Sequence, residues 1–311
     1  MLTLDMVYSA SHLLKGVARY TDMIESNGLT DDCTLRLKAE NLQLTGSFKL
    51  RGAFFKIASL PQNDREIVAC SAGNHSQGVS LAAGKLSRKA VIFMPSIAPI
   101  SKVESTKKLG AEVHLVDGVY DDAYLAADAY CKEHNGIFVH PFDDEDVIAG
   151  QGSIALEILE QFPEVDTVLV PVGGGGLASG VAFTLKQLKP VCKVYGIQAE
   201  GAPGMSKAFS KKQAVTLEKT SSFADGIAVK TPGIGDALGL QQKRMQGSDI
   251  PGYFGKFLPD RQFVLFHGHP QRRPGHADRP AALSVLVSAQ CPAQTRCRRH
   301  SRPGPAARPR H

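Results

Sequence analysis

The chain has 311 residues, of which 43% are hydrophobic, and its formal net charge is +6 at pH 7. Residues 261–311 hold ten arginines, no lysine and one acid, and removing their local charge of +9 leaves −3 for residues 1–260. The body of the chain is therefore mildly acidic, which argues against a nucleic-acid-binding protein. The composition also excludes collagen and coiled-coil proteins, and no stretch reaches the roughly 18 apolar residues of a membrane span.

The first twenty residues and the cysteines predict the compartment. Asp5, Lys15 and Arg19 are spread among apolar positions, a pattern that is not typical of a secretory signal peptide. The six cysteines are scattered, and none forms a C-x-x-C pair with metal-binding spacing. We therefore expect free thiols and a cytoplasmic protein.

From residue 34 to about 211, short β-rich runs alternate with longer helical patterns. The predicted strands are 34–38, 67–70, 90–94, 112–116, 137–140, 167–172 and 193–198. The predicted helices are 52–59, 77–86, 101–109, 121–134, 146–160, 178–188 and 203–210. Such alternation is typical of parallel strands joined by right-handed helical crossovers. We predict an α/β fold with two open, mostly parallel sheets flanked by helices.

The periodic pattern ends near Gly233, and seven of the 18 prolines follow residue 261. We predict a functional region at 1–232, with a small subdomain at about 50–140 inserted in a larger domain. We expect residues 233–311 to form an atypical tail that is largely disordered over 270–311, because this composition buries little apolar surface. Its arginine-rich, lysine-free composition leads to the hypothesis of a shifted reading frame, which resequencing codons 230–260 would test.

The segment 41–52 places Lys49 where a Gly/Ser turn meets a predicted helix. A lysine that is partly removed from water at the mouth of an α/β sheet loses its proton more readily and can form a Schiff base. A lysine in the first turn of a helix is ordinarily a solvated surface charge. This segment alone leaves both interpretations open.

Residues 71–78, Ser-Ala-Gly-Asn-His-Ser-Gln-Gly, follow the predicted strand 67–70 and open another helix. A loop with this many hydrogen-bond donors suits a carboxylate or a phenolate oxygen. An ordinary helix cap by Asn74 or Ser76 explains one polar residue but not five.

Four consecutive glycines, residues 173–176, join the predicted strand 167–172 to a helix. Free N–H groups at a helix start make such a turn a phosphate-binding loop. The same turn matches the dinucleotide fingerprint G-x-G-x-x-A through Ala178, with Glu200 placed as a ribose-binding acid. A dinucleotide-dependent oxidoreductase is therefore the alternative interpretation of this loop.

Three donor-rich loops and one lysine at the carboxyl ends of strands suit pyridoxal phosphate carrying an amino acid. The segments Ser-Phe-Lys-Leu-Arg-Gly-Ala, Ser-Ala-Gly-Asn-His and Gly-Gly-Gly-Gly-Leu occur in this order. In order and spacing they resemble the threonine dehydratase and serine racemase branch of the tryptophan-synthase-β-like (fold type II) enzymes. The resemblance covers roughly residues 4–232.

The resemblance implies pyridoxal 5'-phosphate as the cofactor. Lys49 would form the Schiff base with it and remove the substrate α-proton. Asn74 would hydrogen-bond the phenolic oxygen of the cofactor ring, and the substrate carboxylate would bind Ser71, Asn74 and His75. The cofactor phosphate would be held by the backbone N–H groups of Gly173, Gly174, Gly175, Gly176 and Leu177.

Two further positions bear on metal binding and on the reaction. Family members carry a cation site near the position of Glu200, but Gly204 and Ser206 stand here where racemases supply an aspartate, so we predict no metal. Ala72 replaces the serine that protonates the opposite face of the carbanion in the racemases. The resemblance therefore favours dehydration of L-threonine, and of L-serine, to 2-oxobutanoate or pyruvate and ammonia.

The resemblance also implies a place in amino-acid metabolism, in isoleucine biosynthesis or threonine catabolism, and a possible homo-oligomer without nucleic-acid or membrane partners. Nothing after Gly233 resembles the parts that complete the large domain in relatives, including the loop whose serine contacts the pyridine nitrogen. A serine racemase-type activity and a truncated, inactive or weakly active relative are the alternatives.

Overall fold

The structure is a computed structural model, and it describes residues 1–26, 34–211, 213–222 and 224–233 together with the backbone of 285–290. The helices within these residues are α1 (Leu4–Leu13), α2 (Lys49–Ala58), α3 (Asn74–Lys85), α4 (Ile100–Lys108), α5 (Tyr120–Glu133), α6 (Glu145–Gln161), α7 (Gly176–Leu188) and α8 (Gly204–Lys211). The strands are β1 (Met23–Glu25), β2 (Thr34–Ala39), β3 (Ile67–Cys70), β4 (Ala90–Pro95), β5 (Glu112–Val116), β6 (Ile137–Phe138), β7 (Thr167–Pro171), β8 (Lys193–Ile197) and β9 (Val285–Gln290).

The smaller sheet has the strand order β5-β4-β3-β6, and every pairing in it is parallel. Both faces of β3 are buried: Ile67 and Ala69 pack with α2, α3 and α4, whereas Val68 and Cys70 pack with α5. A strand buried on both faces is a continuous apolar run, which is why its sequence signal is clear. The predicted bounds of β3 and β5 are confirmed.

The larger sheet has the order β1-β2-β9-β7-β8 and is mixed. Its β7–β8 pair is parallel, whereas β1 pairs antiparallel with β2, and β9 pairs antiparallel with both β2 and β7. The α/β class with helix-flanked parallel strands is confirmed. No helix in the part of the chain that the structure describes is both long and apolar enough to cross a membrane.

Within the tail, for which we predict largely disordered residues over 270–311, the segment β9 forms a strand. This segment overlaps the apolar stretch 281–287 and contains the β-branched residues Val285 and Val287, which favour a strand. Pairing on both sides satisfies its backbone hydrogen bonds within the sheet. The rest of the predicted tail after Gly233 lies outside the described residues.

Helices α2 and α3 begin three residues earlier than predicted, at Lys49 and Asn74. Their first turns pack against each other, because a Cβ atom on Gly78 of α3 would lie only 2.9 Å from the carbonyl carbon of Lys49. This close contact supports helical turns that the local sequence favours weakly. It also brings two of the three predicted motifs together.

Four charged side chains form a buried cluster between α2, α6, β2 and the 3-10 turn that follows β2: Lys38, Glu40, Arg51 and Glu157. Arg51 is 1% exposed, and it donates to both carboxylate oxygens of Glu40 at 2.9 and 2.8 Å and to Glu157 at 2.6 Å. Lys38 Nζ donates to the second oxygen of Glu157 at 2.5 Å. Two positive and two negative charges therefore balance in the interior, where three of the four side chains are almost fully buried.

We expect the substitution Arg51→Met to lower the free energy of unfolding by about 3–5 kcal/mol, because two carboxylates would stay buried without their partner. Urea unfolding followed by circular dichroism measures this change. Lys132→Met is the control, since Lys132 pairs with Asp128 on the exposed face of α5 and its loss should leave the urea midpoint unchanged. Equal effects of the two substitutions would contradict the assignment of stability to the buried cluster.

Candidate active site

Two of the three predicted motifs lie at the carboxyl ends of strands. The loop 71–73 follows β3 and leads into α3, and the glycine loop, residues 173–176, follows β7 and leads into α7. The short segment 139–143, which joins β6 to α6, contacts both of these motifs and also Lys49. Ligand sites of open α/β sheets lie at this edge.

Lys49 is half-buried at the first position of α2. Its Nζ donates a hydrogen bond to the carbonyl oxygen of Pro141 at 2.7 Å. Burial lowers the pKa of Lys49 to about 8, because removal from water disfavours the charged ammonium. The lysine is thus not a solvated surface charge, and a large share of it is neutral near pH 8.

His75, the second residue of α3, is 3% exposed and its Nε2 lies 2.9 Å from the carbonyl oxygen of Val139. Because a carbonyl only accepts, Nε2 carries the proton and donates it. Burial and then the charge of Lys49 lower the pKa of His75 to about 3, so the ring is neutral. Its buried Nδ1 has no hydrogen-bond partner among the described residues. A substrate carboxylate would therefore meet the backbone N–H of His75 rather than its ring.

Ser71 lies in the 71–73 loop, and Asn74 is the first residue of α3. Ser71 Oγ accepts from the backbone N–H of Gly73 at 3.1 Å, and Asn74 Oδ1 accepts from Lys102 Nζ at 3.4 Å. No side chain caps α3, so the unpaired N–H groups of its first turn face the loop. The alternative interpretation of this loop, an ordinary helix cap by Asn74 or Ser76, does not hold, because Ser76 Oγ donates to the carbonyl of Gly73 instead.

The glycine loop is shaped by close neighbours. Gly175 has φ +106° and precedes the first residue of α7. A Cβ atom on Gly174 would collide with the ring of Phe142, and one on Gly176 would lie 2.7 Å from the Phe142 carbonyl oxygen. Only glycine fits these positions, and the N–H groups of the first turn of α7 stay available for an anion. Leu177, in that first turn, is buried.

Two contacts were not predicted from the sequence, namely those of segment 139–143 and of Lys102. Pro141 acts through its backbone carbonyl and Phe142 through its packing surface, and residue spacing in the sequence gives no signal for either.

Glu200 is exposed in the turn after β8. Among the described ranges, no group of three or more His, Cys, Asp or Glu side chains is placed to hold a metal ion.

The family described as "Pyridoxal-phosphate dependent enzyme" matches residues 14–245. The chain belongs to this family. Membership implies pyridoxal phosphate as the cofactor, and the dinucleotide interpretation of the glycine loop leaves Lys49 and Asn74 unexplained.

Curated relatives include L-threonine ammonia-lyase of Thermotoga maritima, 47% identical over 237 residues that make up 75% of this chain and 59% of that protein. A catabolic L-threonine dehydratase of Escherichia coli is 42% identical over 236 residues, which are 75% of this chain and 72% of the relative. The chain thus spans less than two thirds of the length of the Thermotoga relative.

Solved structures of similar fold include the processed form of threonine deaminase isoform 2 from Solanum lycopersicum. Its TM-score is 0.70 at 34% identity, and the match covers 75% of this chain and 66% of that one. Maize serine racemase has a TM-score of 0.72 at 31% identity, with 75% and 71% covered.

The residues fit pyridoxal phosphate on two observations. A lysine of lowered pKa lies at the site, and a side-chain-free loop at the start of α7 presents N–H groups to a phosphate. They match the aldehyde and the phosphate of the cofactor, respectively.

We expect Gly174→Ala to weaken pyridoxal phosphate binding and to lower the melting temperature, because the added methyl group displaces Phe142 or the loop. Gly84→Ala is the control, since a Cβ atom on this exposed helical glycine meets only the Leu109 oxygen at 3.6 Å. Thermal unfolding with and without pyridoxal phosphate measures both effects. Ligand-induced stabilisation that survives in Gly174→Ala would argue against this loop as the phosphate site.

An amine-specific reagent labels only the neutral form of Lys49. In the folded, cofactor-free chain, we expect the labelling rate to reach half of its maximum near pH 8. The same lysine in urea should reach half-maximal labelling near its ordinary pKa of 10.5, because unfolding restores its hydration. Peptide mass mapping across a pH series measures both curves. Coincident curves would show that folding does not perturb this amine.

Proposed function

We propose that the chain catalyses the pyridoxal phosphate-dependent β-elimination and deamination of L-threonine, and of L-serine, to 2-oxobutanoate or pyruvate and ammonia. The observation that carries the proposal is the half-buried Lys49 amine held by Pro141, in the segment that also contacts α3 and the glycine loop. The names of the relatives, threonine ammonia-lyase and threonine dehydratase, support L-threonine as substrate.

Bound pyridoxal phosphate supplies a sink for the electron pair left at the substrate α-carbon. Lys49 Nζ is the base that accepts the α-proton, and its lowered pKa keeps enough of it neutral at physiological pH. The Pro141 carbonyl accepts one N–H of Lys49, which orients the amine. Backbone N–H groups at the start of α3 bind the substrate carboxylate, together with Ser71 and Asn74. Those of Gly173–Leu177 bind the cofactor phosphate.

A racemase-type reaction is the second candidate, since maize serine racemase shares the fold. Racemisation needs a proton donor on the face of the α-carbon opposite Lys49. Ala72 offers a methyl group in the 71–73 loop, where the resemblance implies a serine in racemases. This residue favours elimination.

We further propose that residues 1–232 are the catalytic region and that the smaller sheet belongs to a subdomain at about 50–140. The location of strands β3 to β6 between residues 67 and 138 supports this division. Cys70, Cys131 and Cys192 are free thiols, which supports a cytoplasmic location. A homo-oligomer and a role in isoleucine biosynthesis or threonine catabolism remain predictions.

The test is formation of 2-oxobutanoate from L-threonine by the purified full chain loaded with pyridoxal phosphate. We expect Lys49→Ala to lower the rate about 10²–10⁴-fold or more, since it removes the base. Lys108→Ala, which changes an exposed lysine at the end of α4, should keep the original rate.

Equal rates in Lys49→Ala and the unaltered chain would disprove the role of Lys49. A chain that binds the cofactor but forms no 2-oxobutanoate from threonine and no pyruvate from serine would instead favour the inactive-relative alternative.

A further inference from the structure

Lys102 lies on the first turn of α4, outside the three motifs, and it contacts the active-site loop. Its Nζ is 3.4 Å from Asn74 Oδ1. An ammonium group has only donors, so the end of the amide that faces it must be the oxygen. The contact therefore fixes the orientation of the Asn74 amide, with Oδ1 toward Lys102 and Nδ2 away from it.

The opposite end of the amide, Nδ2, faces the 3-10 turn Asp225–Ile227. A Cβ atom on Gly226 would lie 3.9 Å from Asn74 Nδ2, and the carbonyl oxygen of Gly226 would lie 3.3 Å from a Cβ atom on Gly173. This turn is therefore between Asn74 and the glycine loop. With its oxygen held by Lys102, Asn74 directs its two N–H donors toward the side of the site where the cofactor would bind.

Helix α4 is itself fixed against the start of α3. Thr106, one turn after Lys102, is fully buried, and its Oγ1 lies 3.2 Å from Oγ of the buried Ser76. Ser76 Oγ in turn donates to the carbonyl of Gly73 at 2.6 Å. The backbone from which Lys102 extends is thus held at a set distance from Asn74.

The charge of Lys102 is not used elsewhere in the part of the chain that the structure describes. No carboxylate there lies within 4 Å of its Nζ, and the first turn of α3 contains no acidic residue. Glu104, its neighbour on α4, pairs with Lys107 instead. A half-buried cation beside the positive end of a helix favours an anionic oxygen at this place.

We propose that Lys102 is a positioning residue: it holds the amide of Asn74 so that Nδ2 donates to the phenolic oxygen of pyridoxal phosphate. The inference rests on the proposed function, because it takes Asn74 as the partner of that oxygen. It adds a residue of α4 to the site and explains why this helix is bound to the start of α3.

The experiment compares two ligands, pyridoxal phosphate and its 3-deoxy analogue, which lacks the phenolic oxygen. Dissociation constants are measured by equilibrium dialysis on the full, cofactor-free chain. We expect Lys102→Met to weaken pyridoxal phosphate binding roughly tenfold, the value of one oriented hydrogen bond, and to leave analogue binding unchanged. Lys102→Arg should retain most of the affinity for pyridoxal phosphate. Lys108→Met, the same substitution on an exposed face of α4, should leave both dissociation constants unchanged.

A second pair of variants isolates the route through Asn74. In an Asn74→Ala background, Lys102→Met should cause no further loss of pyridoxal phosphate affinity. Equal weakening of both ligands, unchanged binding of pyridoxal phosphate, or a full additional loss in the Asn74→Ala background would overturn the proposal.

The outcomes separate this inference from the proposed reaction. A chain that binds pyridoxal phosphate with the predicted ligand discrimination but deaminates neither threonine nor serine contradicts the reaction and supports the role of Lys102. A chain that deaminates threonine but loses both ligands equally in Lys102→Met supports the reaction and contradicts that role.

Discussion

Phe142 lies against the backbone of Gly174 and Gly176 so closely that neither position has room for a Cβ atom. This contact fixes the glycine loop, and the same short segment accepts the hydrogen bonds of Lys49 and His75 through two backbone carbonyls. Three sequence motifs that are far apart in the chain therefore share one structural support. Small displacements of segment 139–143 would move the amine and the phosphate-binding loop together.

The position of Lys49 also depends on the far side of α2. Two residues after Lys49, Arg51 is held by Glu40 and Glu157 in the buried charged cluster. A neutral set of charges contributes little net stability relative to an apolar core, but removal of one member is costly. The cluster thus fixes the position of α2 relative to α6 and β2. Because Lys49 is the first residue of α2, its position is fixed as well.

Features that depend on a short stretch of sequence could be predicted from the sequence alone. Strands such as β3 are buried on both faces and are therefore visible as apolar runs. The glycine and lysine motifs each have a second interpretation when taken alone, but together with the 71–78 segment they indicate a pyridoxal phosphate site. Contacts between distant segments left no such signal. A backbone carbonyl such as that of Pro141 cannot be predicted from residue types, and the sequence around Lys102 does not distinguish it from other helical lysines. Strand β9 is stabilised by its pairing with β2 and β7, which are distant in the sequence.

We propose Lys49 as the amine that reacts with the cofactor, supported by the buried cluster on one side and Pro141 on the other. Reduction of the full chain with borohydride in the presence of pyridoxal phosphate, followed by peptide mass mapping, tests this most directly. At substoichiometric cofactor concentrations, we expect the reduction to leave one phosphopyridoxyl group, on Lys49. Labelling spread over exposed lysines such as Lys108 and Lys132, with Lys49 unmodified, would contradict it.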